Sequence, residues 1–325
     1  MTLASKTIWM NGAFVDFEKA TLHFLTPGLH YGIGVFEGIR AYATPRGPAV
    51  FRLKEHIHRF LMSAKCLGFG PLPYSAETLE NAVLETVSRN GFDDCYIRPL
   101  LYLAGGGWNL NVDGGQPHIG IAAWRWPSYL GDQAETGVRA NVSSITRHHP
   151  NVTMTKAKIS GNYVNSFLAK TESVRLGFDE AILLDPDGYV AECTGENLFV
   201  VKNGTIITTE TAPILEGITR DALLSLAADL GYSAIERTIS RDQLYTADEV
   251  FVCGTAAECV ALREIDFRTI GDGKPGPITR DIQKAFQASI RGQHPRSEGW
   301  CTYVPSVESL SVAATLGPPL CVPTT

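Results

Sequence analysis

The sequence predicts a mixed α/β protein built as two domains, and three observations carry that expectation. The chain has 325 residues, beyond the roughly 250–300 at which a single hydrophobic core stops growing. Both halves interleave period-two and period-3.6 apolar patterns, so neither is all strand or all helix. A polar stretch at 131–137, GDQAETG, reads as a linker between a smaller domain at 1–130 and a larger one at 138–302.

Along the first half, TIWMNGAFVDF reads as a hairpin around Asn11-Gly12, and GVFEGIRAYATPRGPAVFRL as two strands joined by a turn at 43–48. LKEHIHRFLMSAKCLGFG follows with helical spacing, placing Ile57, Phe60, Leu61 and Ala64 on one face and Gly68 as a stop. A second helix near 75–90 leads to the strand DCYIRPLLYLAGGG, ended by the glycines at 105–107. Its alternation sets Tyr96, Arg98 and Tyr102 on one face and Ile97, Leu101 and Leu103 on the other. HIGIAAWRW is a further strand.

The second half opens with the strand RANVSSI and a stretch with two lysines, TKAKISGNYVNSF, whose helix at 163–176 stops at Gly177. The strands EAILLD, GYVAE, NLFVVK and TIITT come next, the last two closed by Asn203-Gly204. A helix at 219–230 ends at Gly231, strands and a short helix run to ADEVFVCGTAAECVAL, and a final helix spans 277–290. Residues 303–325, nearly uncharged and rich in Ser, Pro and Thr, read as a disordered tail.

Composition narrows the functional class. With 44% hydrophobic and 19% charged residues, the chain can bury a sizeable core. The net charge of −6 is spread without a basic block, which favours small-molecule partners over nucleic acid or an anionic membrane. The start, MTLASKTIWMNGAF, lacks a charged segment followed by an apolar one. No apolar run approaches the ~18 residues of a membrane span, so a cytoplasmic protein is expected. Seven cysteines (66, 95, 193, 253, 259, 301, 321) are scattered and never spaced Cys-x-x-Cys. Reduced thiols are therefore expected, with neither a disulfide framework nor a zinc site.

Several residues could carry chemistry. A nucleophilic lysine must lose its proton near neutral pH, which requires partial burial or a nearby cation. Lys158, at the end of a strand-like run beside Ser160 and Gly161, suits that role, while Lys156 shares its strand face and stays open as an alternative. EGITRDALL and CGTAAECV each read as a turn into a helix N-terminus, where unpaired N–H groups bind anions; plain capping by Thr219 or Thr255 is the alternative. Arg59 adds a cation nearby. Arg98, on an apolar strand, requires an anionic partner from protein or ligand. Glu192 reads from its pattern as an exposed edge carboxylate, and Glu196 and Asn197 as turn residues.

HYGIGVFEGIRAY (30–42), VFRLKEHIHRF (50–60), CYIRPL (95–100), KAKISGNYV (156–164), DGYVAECTGENLFVVKNG (187–204), EGITRDALL (216–224) and ADEVFVCGTAAE (247–258) together resemble the branched-chain amino acid aminotransferases. That is the class IV family of pyridoxal-phosphate enzymes, and the resemblance is collinear from about residue 6 to residue 302. It implies a fold type IV enzyme with a sheet and packed helices in each domain, an active site at the domain interface, and the cofactor, pyridoxal 5′-phosphate, in the larger domain.

The resemblance also implies roles. It selects Lys158 over Lys156 as the catalytic lysine that carries the cofactor, gives Tyr163 the cofactor's phenolic oxygen, and turns Glu192 into the carboxylate facing the pyridine nitrogen. Arg59, Leu215, Ile218, Thr219 and Thr255 complete the cofactor site. Tyr31, Phe36, Gly38, Trp126 and Ala256 would shape an apolar substrate cavity, with Arg98 for a distal carboxylate and Tyr96, Thr255 and Ala256 for the α-carboxylate. The implied reaction moves the amino group of leucine, isoleucine or valine to 2-oxoglutarate. The implied assembly is a homodimer or larger homo-oligomer, with Tyr31 reaching in from the neighbouring subunit. Trp108 and Arg125 depart from the family pattern and leave substrate preference open. A D-amino acid or (R)-amine transaminase, an aminodeoxychorismate lyase, and a catalytically silent binding protein remain as alternatives.

Overall fold

The computed structural model of the protein describes residues 5–106, 108–126 and 133–306. Gly107, residues 131–132 of the expected linker and residues 307–325 of the expected tail lie outside the described residues. Among the described residues the chain forms two sheets, of eight and nine strands.

The first sheet begins with the hairpin β1 (Thr7–Met10) and β2 (Ala13–Asp16). Asn11 and Gly12 between them have φ of 48° and 92°, the doubly left-handed turn whose twist matches paired strands. After the short helix α1 (Pro27–Tyr31) come β3 (Gly34–Phe36), β4 (Ile39–Tyr42) and β5 (Ala49–Phe51). Helices α2 (Leu53–Cys66) and α3 (Ala76–Asn90) lead to the long strands β6 (Cys95–Gly105) and β7 (Gln116–Trp124). Ile57, Phe60, Val83 and Val87 of the two helices pack on Ile97 and Leu101 of β6 in one continuous core.

A short helix, α4 (Gln133–Thr136), precedes β8 (Val138–Val142). The chain continues through α5 (Tyr163–Arg175), β9 (Glu180–Leu184), β10 (Val190–Cys193), β11 (Asn197–Lys202) and β12 (Thr205–Thr208). It then forms α6 (Ile218–Asp229), β13 (Ala234–Glu236), α7 (Arg241–Tyr245), β14 (Glu249–Gly254), β15 (Glu258–Ile265) and β16 (Arg268–Thr269). Helices α8 (Pro277–Ile290) and α9 (Ser297–Trp300) and strand β17 (Cys301–Tyr303) complete it. The second sheet runs β10-β9-β8-β15-β14-β11-β12-β13. Leu223 and Leu226 of α6 and Ile282 and Phe286 of α8 bury Phe199 and Phe251, and the same core takes in Tyr42 and Phe51 of the first sheet. Strand β17 leaves the second half and pairs antiparallel with β5, Cys301 opposite Phe51, at the edge of the first sheet.

Five local expectations are corrected. The expected disordered tail begins too early at 303: Tyr303 belongs to β17 and the Val304 N–H donates to the Pro48 carbonyl at 2.9 Å. Residues 34–42 form two strands, β3 and β4, because the chain breaks at Glu37-Gly38, where the Glu37 carboxylate turns inward to His56 and Arg59. Pro27–Tyr31 is a helix that the sequence pattern does not announce. Residues 154–158 lie outside any strand; Ile159 makes a single bridge to Val35, so the two lysines share no strand face. CGTAAECV does not start a helix: Gly254 pairs with Glu258 across a hairpin turn from β14 to β15.

Candidate active site

A cavity of about 690 Å³ opens between residues of the two sheets. Lys158 is fixed in its wall through the backbone, whose N–H donates to Ser63 Oγ (3.0 Å) and whose carbonyl accepts the Phe36 N–H (3.0 Å). Its Nζ lies 2.6 Å from Tyr163 Oη and about 5 Å from the ring centres of Phe36 and Tyr163. Those two rings meet edge to face beside the partly buried lysine. Lys156 has no such setting, since its amine pairs with Glu216 at 2.9 Å and donates to the Thr211 carbonyl.

Glu192 is buried, contrary to the exposed-edge reading of its pattern. The register of β9 and β10 shifts between Val190 and Glu192, so strict alternation fails there and Ala191, Glu192 and Cys193 are all covered. One carboxylate oxygen meets Arg147 Nη2 at 2.7 Å, and the other accepts from Asn197 Nδ2 (3.2 Å) and the Leu215 N–H (3.3 Å). Burial pushes this carboxyl above its ordinary range, with Arg147 pulling the other way. Glu196, also buried, is pushed up to about 8 by burial and by Glu180.

Arg59 is held by a group the sequence reading passed over. Its Nε and Nη2 donate to the two oxygens of Glu37 at 2.7 and 2.9 Å, and its Nη1 to the Glu216 carbonyl at 2.9 Å. A guanidinium carries five N–H donors, so one on each terminal nitrogen is left at the cavity wall that Arg59 lines. Glu37 is fully buried and also bonds His56 Nδ1 at 2.7 Å. Helix α6 begins at Gly217 without a side-chain cap, which leaves the first N–H groups of its dipole-positive end available to an anion. A Cβ at Gly217 would stand 2.0 Å from Asn197 Oδ1, so only glycine permits this approach.

These residues fit pyridoxal 5′-phosphate on the chemistry of the donor set. Arg59 and the uncapped start of α6 at Ile218 and Thr219 offer donors to a dianionic phosphate. Thr255 lines the same cavity, and the buried Glu192 offers a carboxylate to a ring nitrogen.

The remaining cavity wall is aromatic. Phe36, Tyr96, Arg98, Trp126 and Ala256 line it; the Tyr96 ring lies against Trp126 and Trp124 at 4.7 and 5.1 Å. Arg98 Nη2 donates to Tyr96 Oη at 3.0 Å, and its guanidinium sits 4.5 Å over the Phe36 ring. Gly38 faces Tyr96 so closely that a Cβ would stand 2.1 Å from Tyr96 Oη. Gly38→Ala is therefore expected to displace the Tyr96 phenol and raise the KM of both substrates about tenfold or more, with cofactor affinity unchanged; steady-state kinetics and a cofactor titration check this.

Three residues fall elsewhere. Tyr31 lies outside this cavity, half-exposed on α1 with its ring against Trp108 at 5.8 Å. Trp108 itself packs on α1 through His30 and Tyr31. Arg125 does not line the cavity and lies 5.8 Å from the Phe92 ring. The sequence reading missed Glu37 and Arg147. An acidic residue inside the apolar run VFEGI was the available signal for Glu37; Arg147 had none.

The amino-transferase class IV family model matches residues 34–265. Branched-chain-amino-acid aminotransferases of Pseudomonas aeruginosa and Escherichia coli K12 are 45% and 43% identical to the chain. The matches cover 94% and 91% of this chain and 100% and 97% of those proteins. The solved structure of the branched-chain aminotransferase from the thermophilic archaeon Thermoproteus uzoniensis with norvaline superposes with a TM-score of 0.88 at 43% identity, covering 93% of this chain and all of that one. The branched-chain amino acid aminotransferase from Thermobaculum terrenum, solved in its PLP-bound holo form, superposes with a TM-score of 0.87 at 34% identity, over 93% of this chain and 99% of that one. With the fold, the cavity and these relatives in agreement, the chain belongs to the branched-chain amino acid aminotransferases of class IV.

Proposed function

We propose that the protein transfers the amino group of leucine, isoleucine and valine to 2-oxoglutarate with pyridoxal 5′-phosphate as cofactor. The observation that carries this reading is the Lys158 amine beside Tyr163, in one cavity with the buried Glu192 and the tethered Arg59. The cofactor, when bound, supplies an electron sink for the electrons freed as the donor's Cα loses its proton. Lys158 Nζ would take that proton from Cα and deliver it across the amino nitrogen to the cofactor, with Tyr163 Oη orienting the amine. Glu192, with Arg147 as its counter-charge, keeps a proton on the pyridine nitrogen. Arg59, the N–H groups at Ile218 and Thr219 and the Thr255 hydroxyl would hold the phosphate, and Leu215 fixes Glu192 through its N–H.

One cavity must accept an aliphatic chain and the chain of glutamate. Phe36, Trp126, Gly38 and Tyr163 give the apolar part, while Tyr96 and the amides of Thr255 and Ala256 take the α-carboxylate. Arg98 takes the distal carboxylate of 2-oxoglutarate. Its guanidinium lines the cavity, and among the described residues its buried Nε has no hydrogen-bond partner.

The working unit proposed is a homodimer in which Tyr31 completes the partner's cavity. Phe24, Leu29, Tyr31 and Trp108 are exposed on and against α1, an apolar group of the kind that marks an interface. No helix among the described residues is long and apolar enough to cross a membrane.

Purified protein supplied with cofactor and 2-oxoglutarate is expected to turn over L-leucine, L-isoleucine and L-valine. Activity confined to D-alanine and 1-phenylethylamine would overturn the substrate assignment. Borohydride reduction followed by peptide mapping is expected to place the cofactor on Lys158, and a label elsewhere would overturn the site assignment.

A further inference from the structure

Arg40 lies on β4 directly opposite Tyr96 of β6 and is buried. Its guanidinium joins three pieces of chain. Through its own strand it belongs to the sheet that carries Tyr96. Its Nη2 donates to the Trp126 carbonyl at 2.8 Å, fixing the backbone of the cavity wall just beyond β7. Its Nη1 pairs with Glu258 Oε1 at 3.1 Å, in the other sheet.

Glu258 closes the turn that carries Thr255 and Ala256, opposite Gly254. It has a φ of 61°, a left-handed conformation that a glutamate adopts only where its surroundings impose it. Both of its oxygens are anchored: Arg40 takes one, and Gln287 Nε2 of α8 donates to the other at 2.6 Å. The Gly254 side of the turn is equally fixed, since a Cβ there would lie 2.9 Å from the Gly195 carbonyl. The turn is thus held at one end by close packing and at the other by the Arg40–Glu258 pair.

We propose that Arg40 is a positioning residue for substrate carboxylate binding: it locks the 254–258 turn against the wall formed by Tyr96 and Trp126, through Glu258. The inference rests on the reading that Tyr96 and the amides of Thr255 and Ala256 receive the α-carboxylate. Every amino and oxo acid substrate carries that carboxylate, so the effect is the same for donor and acceptor. Thr255 of the turn is the one part of the cofactor site it reaches: neither Arg40 nor Glu258 contacts Arg59, Glu192 or Lys158 in a hydrogen bond or ion pair, so the larger effect falls on the substrate carboxylate.

The test compares Arg40→Gln, Glu258→Gln and the double variant as holoenzymes. Each single variant is expected to raise the KM of L-leucine and of 2-oxoglutarate by about tenfold or more, with kcat within about threefold of the parent and a change in cofactor affinity of no more than about threefold, since Arg59 and the start of α6 are left in place. The double variant is expected to be no worse than the worse single one, the signature of two residues acting through one contact. Glu258→Gln keeps size and shape and carries the test if Arg40→Gln does not fold. Unchanged KM values in Glu258→Gln, additive effects in the double variant, or a loss of cofactor affinity as large as the rise in KM would overturn the proposal. Tyr96→Phe separates it from the reading beneath: if that variant raises both KM values while Glu258→Gln does not, the carboxylate assignment stands and the role of Arg40 fails. If neither variant moves KM, both fail.

Discussion

Replacing Lys158 with alanine is expected to lower turnover of L-leucine by at least about 10⁴-fold, the upper end of what a positioned proton-transfer group contributes. The variant should still bind the cofactor, because Arg59, Glu192 and the start of α6 are separate from the lysine side chain. An amine such as methylamine or ethylamine, small enough to enter the space left by the side chain, is expected to restore part of the activity by taking over the proton. Lys156→Ala is the matched control: its amine is bound to Glu216 on the surface, and its loss should change turnover little. Full activity in Lys158→Ala, measured by oxo acid release, would remove the central assignment.

The second large effect is expected at Glu37. This carboxylate is fully buried between Arg59 and His56, and removing it strands the Arg59 charge in a low dielectric. Glu37→Gln is expected to lose about 3–5 kcal/mol of stability at neutral pH, read as a lower urea midpoint. It should also weaken cofactor binding, because Arg59 loses one of the two acceptors that orient its fork and meets an NH2 donor in its place.

The pH dependence has a definite sign. Burial pushes the Glu37 carboxyl upward, but Arg59 and His56 outweigh it and hold the group well below the usual carboxylate range. A folded value below the unfolded one means the stabilisation is complete above the unfolded value, about 4.3 for glutamate. It drains away as the pH falls from there toward the folded value. The gap between the parent and Glu37→Gln should therefore be widest near neutrality and narrow below about pH 4. A variant as stable as the parent at pH 7, with unchanged cofactor affinity, would show that Arg59 needs no tether.

Much of this was legible in the sequence, for reasons that differ by element. The Asn11-Gly12 and Asn203-Gly204 hairpins could be placed because their turn conformations demand those residues. Helices α2, α3 and α8 could be placed because each has one wet face and therefore a period. The approach of Lys158, Glu192 and Arg59 to one another could not be derived from spacing, because contacts between segments far apart in the chain leave no local trace; motif resemblance supplied it.

Where every face is buried, the pattern fails outright. Residues 34–42 carry no alternation, which hid the break between β3 and β4 and with it the inward turn of Glu37. The shifted register of β10 hid the burial of Glu192. The glycine and threonine of CGTAAECV suit a helix start and a hairpin turn alike, and the pairing of β14 with β15 decides for the hairpin.

Strand β17 bears on how the nascent chain matures. Its partner β5 is made about 250 positions earlier, so at roughly 5–20 residues per second that edge leaves the ribosome tens of seconds before its mate. Until then the first half exposes unpaired amides and carbonyls beside β5, a template for another molecule's strand. The late-translated β17 closes that template, and the neighbouring Trp300 carbonyl accepts the Arg52 amide, so the earliest sheet is finished last.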